Sequence, residues 1–451
     1  MTDSELQLHL RRLSARQNNL ERRLQRIENS SIFRFLRWIG PKLVRVGLPV
    51  PGVLPVDEAK AYQAWMRNSA LSCVPKSSGT HADAILCAPP YALLEPGALD
   101  AFASAFDEKT AVVYSDWDHI DPGGLRHSPR FTPEYSPELL AQTPYFGGCY
   151  LVSSKLPRDI PWQDLPRDSV RRIPRILWHS QEQPAIPSNS PAPHPPSTAR
   201  ASIIICSRTP ARLARCLKAL RATLDPRHEI IVVAHDVDLQ TTVKTVPYRG
   251  AFHFGHMNAL GVQASSGDVL CFLNDDVFPS TPGWLESMLS QAVRPDVGIV
   301  GALLLYPDGS IQHAGVVVDR WHPAHVGRFQ NDSSYWLWLR LTREVSAVTG
   351  ACMAIRRSTW NELGGFDPQF PVNYNDIDLC LRAAASGYRI LIETRAVLVH
   401  EEARTRVAVV HPEEAERFHE RWVSVTGRPD PYFNPQLSAE DETITLPPPW
   451  S

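Results

Sequence analysis

Apolar runs and amphipathic stretches alternate along the chain from Ala201 onward. "ASIIICS", "HEIIVVAHD" and "DVLCFLNDD" each carry an unbroken apolar core. Between them, "PARLARCLKALRATL" and "HMNALGVQAS" place apolar residues at helical spacing. Strands that are apolar on both faces and separated by helices predict an α/β fold with a mostly parallel sheet covered on both sides. Ligands of such sheets sit at the carboxyl ends of the strands. Asp236 and the pair Asp275–Asp276 fall at those ends. Further on, Asn375, Asp376 and Asp378 open a predicted helix that Gly387 closes. "YRILIETRAVLVH" then reads as two short strands, with His400 at the end of the second.

Part of this pattern occurs twice. Residues 95–124 and 281–310 both run Pro-Gly, amphipathic helix, Val-rich strand, glycine turn, and "YFGGCYLVSSKL" parallels "VTGACMAIRRST". The repeat predicts an internal duplication. The first copy, 55–180, lacks an upstream βαβ half and reads "AILCAPPYALL" where the second, 200–430, reads "FLNDDVFPS". Six prolines over 181–199 predict an extended linker between the copies; residues 431–451 are read as a tail. At the other end, Leu6, Leu13, Leu20 and Ile27 are seven apart, with Leu10, Gln17 and Leu24 in the second seam. That spacing predicts a coiled coil over 1–29 and self-association, or else a lone amphipathic helix. In 30–54, Phe33, Phe35 and Trp38 alternate with Arg34, Arg37, Lys42 and Arg45. This suits an anionic membrane surface, or a helix packed on the body.

Composition narrows the chemistry. Net charge over the 451 residues is −2, which gives no field for nucleic acid, although the first 48 residues hold ten Lys/Arg against four Asp/Glu. No apolar run reaches the roughly 18 residues that span a bilayer. The N-terminal stretch lacks a signal peptide's apolar core, and the eight scattered cysteines read as free thiols. These features predict a cytoplasmic protein, free or peripheral on the inner face of the membrane. Asp275 and Asp276 have no Lys or Arg close in sequence. Buried carboxylates need a partner, and a hard divalent cation, Mn²⁺ or Mg²⁺, is the natural one. Such a cation is useful where a diphosphate is bound or expelled. An isolated Asp pair in a surface turn would need none. Asp376, ionised by the helix dipole, suits a general base or a plain cap. His400 suits a third metal ligand or a structural histidine.

"SIIICSR", "EIIVVAHD", "FLNDDVFP", "SAVTGACMAIRR", "GGFDPQF", "NDIDLCLR" and "LVHEEA" together resemble the family-2 glycosyltransferases of the GT-A fold, in that family's order. Residues 55–180, with "VVYSDWDHID", "FTPEYSPELL" and "RIPRILWHS", resemble the first domain of tandem bacterial enzymes that build surface polysaccharide. The resemblance implies a metal-dependent inverting transfer from a nucleotide-sugar donor to a hydroxyl of a bacterial cell-surface glycan, lipid-linked or free. It implies Asp276 and His400 as metal ligands and Asp275 at the ribose or sharing the metal. It implies Asp376 as the catalytic base, with Asn375 where the family has glutamate, and Arg208 and Asn258 lining the nucleotide pocket. Asp236 stands two residues beyond the family's usual aspartate position, which is Ala234 here. Arg404 and Arg406 are candidates for diphosphate contacts, or an exposed basic loop. The rival reading is a non-catalytic, glycan-binding scaffold made of two worn copies.

Overall fold

The apolar runs form strands in two sheets. A computed structural model describes residues 83–157, 160–181, 197–280, 282–318, 323–330, 338–401 and 410–437. The candidate coiled coil, the basic aromatic segment, most of the Pro-rich linker, Arg404 and Arg406 lie outside the described residues. The smaller sheet uses β1 (Ala84–Cys87), β2 (Ala92–Leu94), β3 (Val112–Ile120), β4 (Arg126–Arg130), β5 (Tyr150–Ser153) and β6 (Val170–Ser180). Its order is β1-β5-β3-β6-β2, with β4 beside β3. The larger sheet draws on β7 (Ala201–Ser207), β8 (Glu229–His235), β9 (Lys244–Tyr248), β10 (Val269–Leu273), β11 (Val277–Pro279), β12 (Val297–Leu305) and β13 (Ile311–His313). After a separate hairpin of β14 (Val316–Val317) and β15 (Ala324–His325), it adds β16 (Arg343–Glu344), β17 (Cys352–Arg356) and β18 (Arg389–His400). Its order is β11-β18-β12-β17-β10-β7-β8-β9, with β13 on β12 and β16 on β18.

The run β10-β7-β8-β9 is parallel, as the continuous apolar strands require. Ile203, Ile204 and Ile205 are all fully buried. Ile203 and Ile205 pack with Leu213, Leu217 and Trp284 on one face, and Ile204 with Met257, Phe272 and Leu379 on the other. Burial of each such side chain stabilises the fold by about 2 kcal/mol. β17 enters antiparallel between β10 and β12, so the sheet as a whole is mixed. "YRILIETRAVLVH" is one strand rather than two. β18 pairs with β12 along its length and shifts register between Glu393 and Val397. At that bulge the buried Glu393 carboxylate takes hydrogen bonds from Gln291, Thr342 and Arg395.

The smaller sheet matches half of the larger one. β1-β5-β3-β6-β2 and β10-β17-β12-β18-β11 have the same sequence of antiparallel, antiparallel, parallel and antiparallel pairings. The helices Ala98–Ser104 and Trp284–Ala292 both start from a left-handed glycine, Gly97 at φ 80° and Gly283 at φ 82°. Among the described residues, the smaller sheet has no strands in the places of β7, β8 and β9.

A buried polar network joins the two sheets. Glu344 accepts from Arg389 at 2.6 Å, from Arg167 at 2.8 Å and from the Ser136 hydroxyl. Arg389 and Arg294 also pair with Glu138, at 2.9 and 2.7 Å. Residues read as tail take part: the Asn434 amide donates to both Asp116 oxygens at 2.9 Å. Phe433 and Leu437 are buried with Phe131. The Glu344 carboxylate is fully enclosed, so Glu344→Ala, which removes the shared acceptor of Arg389, Arg167 and Ser136 while Arg389 keeps Glu138, should lower stability by about 2 kcal/mol in urea denaturation. Breaking the exposed Lys155–Asp83 pair with Lys155→Ala should leave the midpoint nearly unchanged.

Candidate active site

Three parallel strands end at one edge of the larger sheet. Ser207 closes β7, Asp236 follows β8, and Asn274, Asp275 and Asp276 follow β10. The Ser207 hydroxyl donates to Asp275 at 2.5 Å. β11 turns the chain back so that Val277 pairs opposite His400 at the end of β18. The Glu401 amide donates to the Asp276 carbonyl at 2.9 Å. That register sets His400 Nε2 3.2 Å from Asp276 Oδ1. His400 Nδ1 is buried and has no hydrogen-bond partner among the described residues.

A cation is already present, on a residue that sequence reasoning missed. Arg212, in the first turn of the helix Pro210–Thr223, lies 3.4 Å from Asp275 and 3.7 Å from Asp276. Linear proximity to the Asp pair could not reveal it. The pairing of β7 with β10 could, because it sets the helix after one strand beside the loop after the other. Burial pushes the Asp275 carboxyl above its ordinary value, with Ser207 and Arg212 opposing the rise. Burial also acts to raise Asp276, but the His400 hydrogen bond and charge, with Arg212, outweigh it and hold that carboxyl below the ordinary range. Within the pair, Asp276 is thus the stronger acid and Asp275 the weaker.

Asp376 opens the helix Asn375–Ala385, after Tyr374 in a left-handed conformation at φ 60°. It accepts from the Gly350 amide at 2.7 Å and from the Ile377 amide at 2.9 Å. Burial raises its carboxyl, opposed by these amides and by the Thr349 hydroxyl. A carboxyl that burial makes more basic, and that two amides hold in place, is suited to taking a proton. Its neighbour Asp378 has a different job: it is fully buried and bonded to Arg382 at 2.8 Å, Arg421 at 2.9 Å and Trp422 at 3.1 Å. One residue past Gly350, the Ala351 carbonyl accepts from the Asn274 amide at 2.9 Å. Residues 350–351 therefore connect Asp376 to the acidic pair.

Three further candidates fall within the described residues. Arg208 is exposed just beyond β7. Asp236 is exposed at φ 51°, and its side chain accepts from the Gly250 amide at 3.2 Å. Asn258 is buried, and its amide donates to the Phe254 carbonyl of its own helix at 2.9 Å. Two carboxylates and an imidazole suit a divalent cation in donor chemistry. His400 Nε2 and Asp276 Oδ1 are hydrogen-bonded to each other at 3.2 Å, and among the described residues no group of three His, Cys, Asp or Glu side chains is arranged to hold a metal ion.

An α/β sheet with acids gathered at the carboxyl edge of its parallel strands defines a class of ligand-binding protein. The family is shown by sequence comparison. The model of the family described as glycosyltransferase-like family 2 matches residues 196–424, just over half of the chain, and the chain belongs to that family. It is 29% identical over 424 residues to the O-antigen biosynthesis protein RfbC of Myxococcus xanthus, a match covering 76% of this chain and 33% of that one. It is 28% identical over 136 residues to an N-acetylglucosaminyl-diphospho-decaprenol L-rhamnosyltransferase of Mycobacterium tuberculosis, covering 28% of this chain and 44% of that one. The chain thus spans less than half the length of these relatives. A solved structure, GalNAc-T7 with UDP, GalNAc and Mn²⁺, aligns with 50% of this chain and 45% of its own at 14% identity, with a TM-score of 0.38.

Because burial raises Asp275, its ionisation opposes folding of the ligand-free protein. Asp275→Asn should therefore melt at or above the wild type. Its advantage should grow as pH rises through the carboxylate range, from about 4 upward, where the unfolded aspartate ionises before the folded one. Thermal melts across that range provide the measurement. A variant that melts below wild type at every pH would show that Ser207 and Arg212 outweigh burial.

Proposed function

We propose that the chain is a metal-dependent, inverting glycosyltransferase that moves a sugar from a nucleotide-diphosphate sugar to a hydroxyl of a bacterial cell-surface glycan. The observation that carries this reading is the pairing of two differently tuned acidic elements at one sheet edge: Asp276 held ionised against His400, and Asp376 raised by burial across the Gly350–Ala351 connection. The acceptor oxygen attacks the anomeric carbon from the face opposite the diphosphate. Asp376 takes the hydroxyl proton as the new bond forms. The bond from the anomeric carbon to the diphosphate oxygen breaks, and its electron pair leaves on the diphosphate. A divalent cation, Mn²⁺ or Mg²⁺, held by Asp276 and His400, would supply positive charge for that leaving group. Arg212 sits beside the same carboxylates and adds a fixed positive charge. Charge placed in advance where it develops in the transition state is an effective source of acceleration.

The smaller sheet is read as a degenerate copy. "AILCAPPYALL" offers no carboxylate after β1, and the strands that would carry the nucleotide side are absent from its described residues. Its role would be to position the acceptor or a partner, fixed in place through Glu344. The relatives named for O-antigen and decaprenol-linked chemistry support a surface-glycan acceptor, and a lipid-linked one would lie at the inner membrane face, where the basic segment 30–54 suits attachment.

Asp276→Asn should abolish nucleotide release from the donor while the protein keeps its fold by circular dichroism, and full turnover in excess EDTA would sink the metal assignment. Asp376→Asn should retain donor binding by calorimetry and lose roughly a hundredfold or more in kcat, the scale of a lost general base. A variant turning over at the wild-type rate would reduce Asp376 to a helix cap and favour the scaffold reading.

A further inference from the structure

Three consecutive residues between β16 and β17 each bond to a different part of the site. The Thr349 amide donates to His313 Nε2 at 3.3 Å. The Gly350 amide donates to Asp376 at 2.7 Å. The Ala351 carbonyl accepts from Asn274 at 2.9 Å. Gly350 has little room: a Cβ there would stand 3.1 Å from the Phe254 ring and 3.5 Å from Asp376 Cβ. The segment is therefore a short, packed strut between the proposed base and the acidic pair, and His313 is the side chain that receives its first amide.

His313 is itself held in one form. It is fully buried at the end of β13. Its Nδ1 lies 2.9 Å from Nδ1 of His325 on β15. Because Nε2 accepts from the Thr349 amide, a neutral His313 carries its proton on Nδ1 and donates it to His325, which then carries its own proton on Nε2. Burial keeps both rings neutral, His313 well below the ordinary histidine value and His325 down to about 3. The next residue, Ala314, is braced from behind: its carbonyl accepts from the buried Arg343, whose guanidinium also reaches the carbonyls of Trp338, Leu339 and Leu341. The Thr349 hydroxyl bonds to Asp376, so the residue that His313 holds is itself in contact with the proposed base.

We infer that His313 is a positioning residue, whose Nε2 lone pair, aimed by the His325 hydrogen bond, holds the Thr349 amide and so sets the Gly350 amide against Asp376. The inference rests on Asp376 acting as base in the proposed transfer, and it separates two substitutions that resemble each other. His313→Gln keeps a polar acceptor at the distance of Nε2. His313→Asn keeps a group only at the distance of Nδ1 and leaves the Thr349 amide without a partner.

The test is hydrogen–deuterium exchange over residues 346–353 in both variants and the wild type, together with kcat and donor KM. Protection of this segment should match wild type in His313→Gln and be lost in His313→Asn. The kcat of His313→Asn should fall about tenfold, the scale of one lost hydrogen bond, with donor KM within about twofold. Equal protection in the two variants, or a loss that falls on donor KM alone, would overturn the role. Because exchange needs no turnover, a wild type inactive toward every donor would count against the glycosyltransferase reading while the exchange contrast still decides the strut. Should His313→Asn fail to fold, protection in His313→Gln decides: wild-type protection supports the role and its loss overturns it.

Discussion

The register between β11 and β18 is the constraint on which the site depends. Val277 lies opposite His400, and the Glu401 amide closes on the Asp276 carbonyl. With that pairing, a carboxylate that burial would otherwise push toward protonation is held ionised by an imidazole and a guanidinium. A shift by one residue would turn His400 to the other face of the strand, and Asp276 would keep only Arg212. The three residues of β11 are enough because β18 continues into the centre of the sheet, where β12 pairs along it.

A second constraint comes from the other end of β18. Arg389, at its start, binds Glu344 of the neighbouring β16 and Glu138 of the smaller sheet's own polypeptide stretch. One strand thus carries the site histidine at its end and the joint between the two sheets at its beginning. Interfaces between domains of one chain are usually more polar and more yielding than cores. Here the carboxylate at the centre is fully enclosed and triply bonded, which gives the smaller sheet a fixed place beside the larger one.

Much of the candidate site was legible in residue order. Aspartates directly after an apolar strand, an acid at a helix start and a histidine at a strand end are local patterns, and each lies where the pattern put it. Arg212 was not legible, because its closeness to Asp275 comes from two parallel strands lying side by side rather than from spacing. The different fates of Asp376 and Asp378 were also hidden. Both belong to one helical turn, and only the packing of the helix Pro412–Thr426, with Arg421 and Trp422, takes Asp378 out of the site. His313 had no local signal at all, since its partners are a backbone amide and a ring from another hairpin.

The same division runs through the fold. Periodicity determined the parallel strands β7, β8 and β10, because a strand covered on both faces must be apolar at every position. The repeated Pro-Gly, helix and Val-rich strand determined that the two halves would look alike, down to the left-handed glycines at positions 97 and 283. The antiparallel entry of β17, the single bulged β18 in place of two strands, and the capture of Asn434 by Asp116 were decided in three dimensions. Each depends on hydrogen bonds between residues distant along the chain. An apolar alternation specifies which face of an element is buried, but not which neighbour buries it.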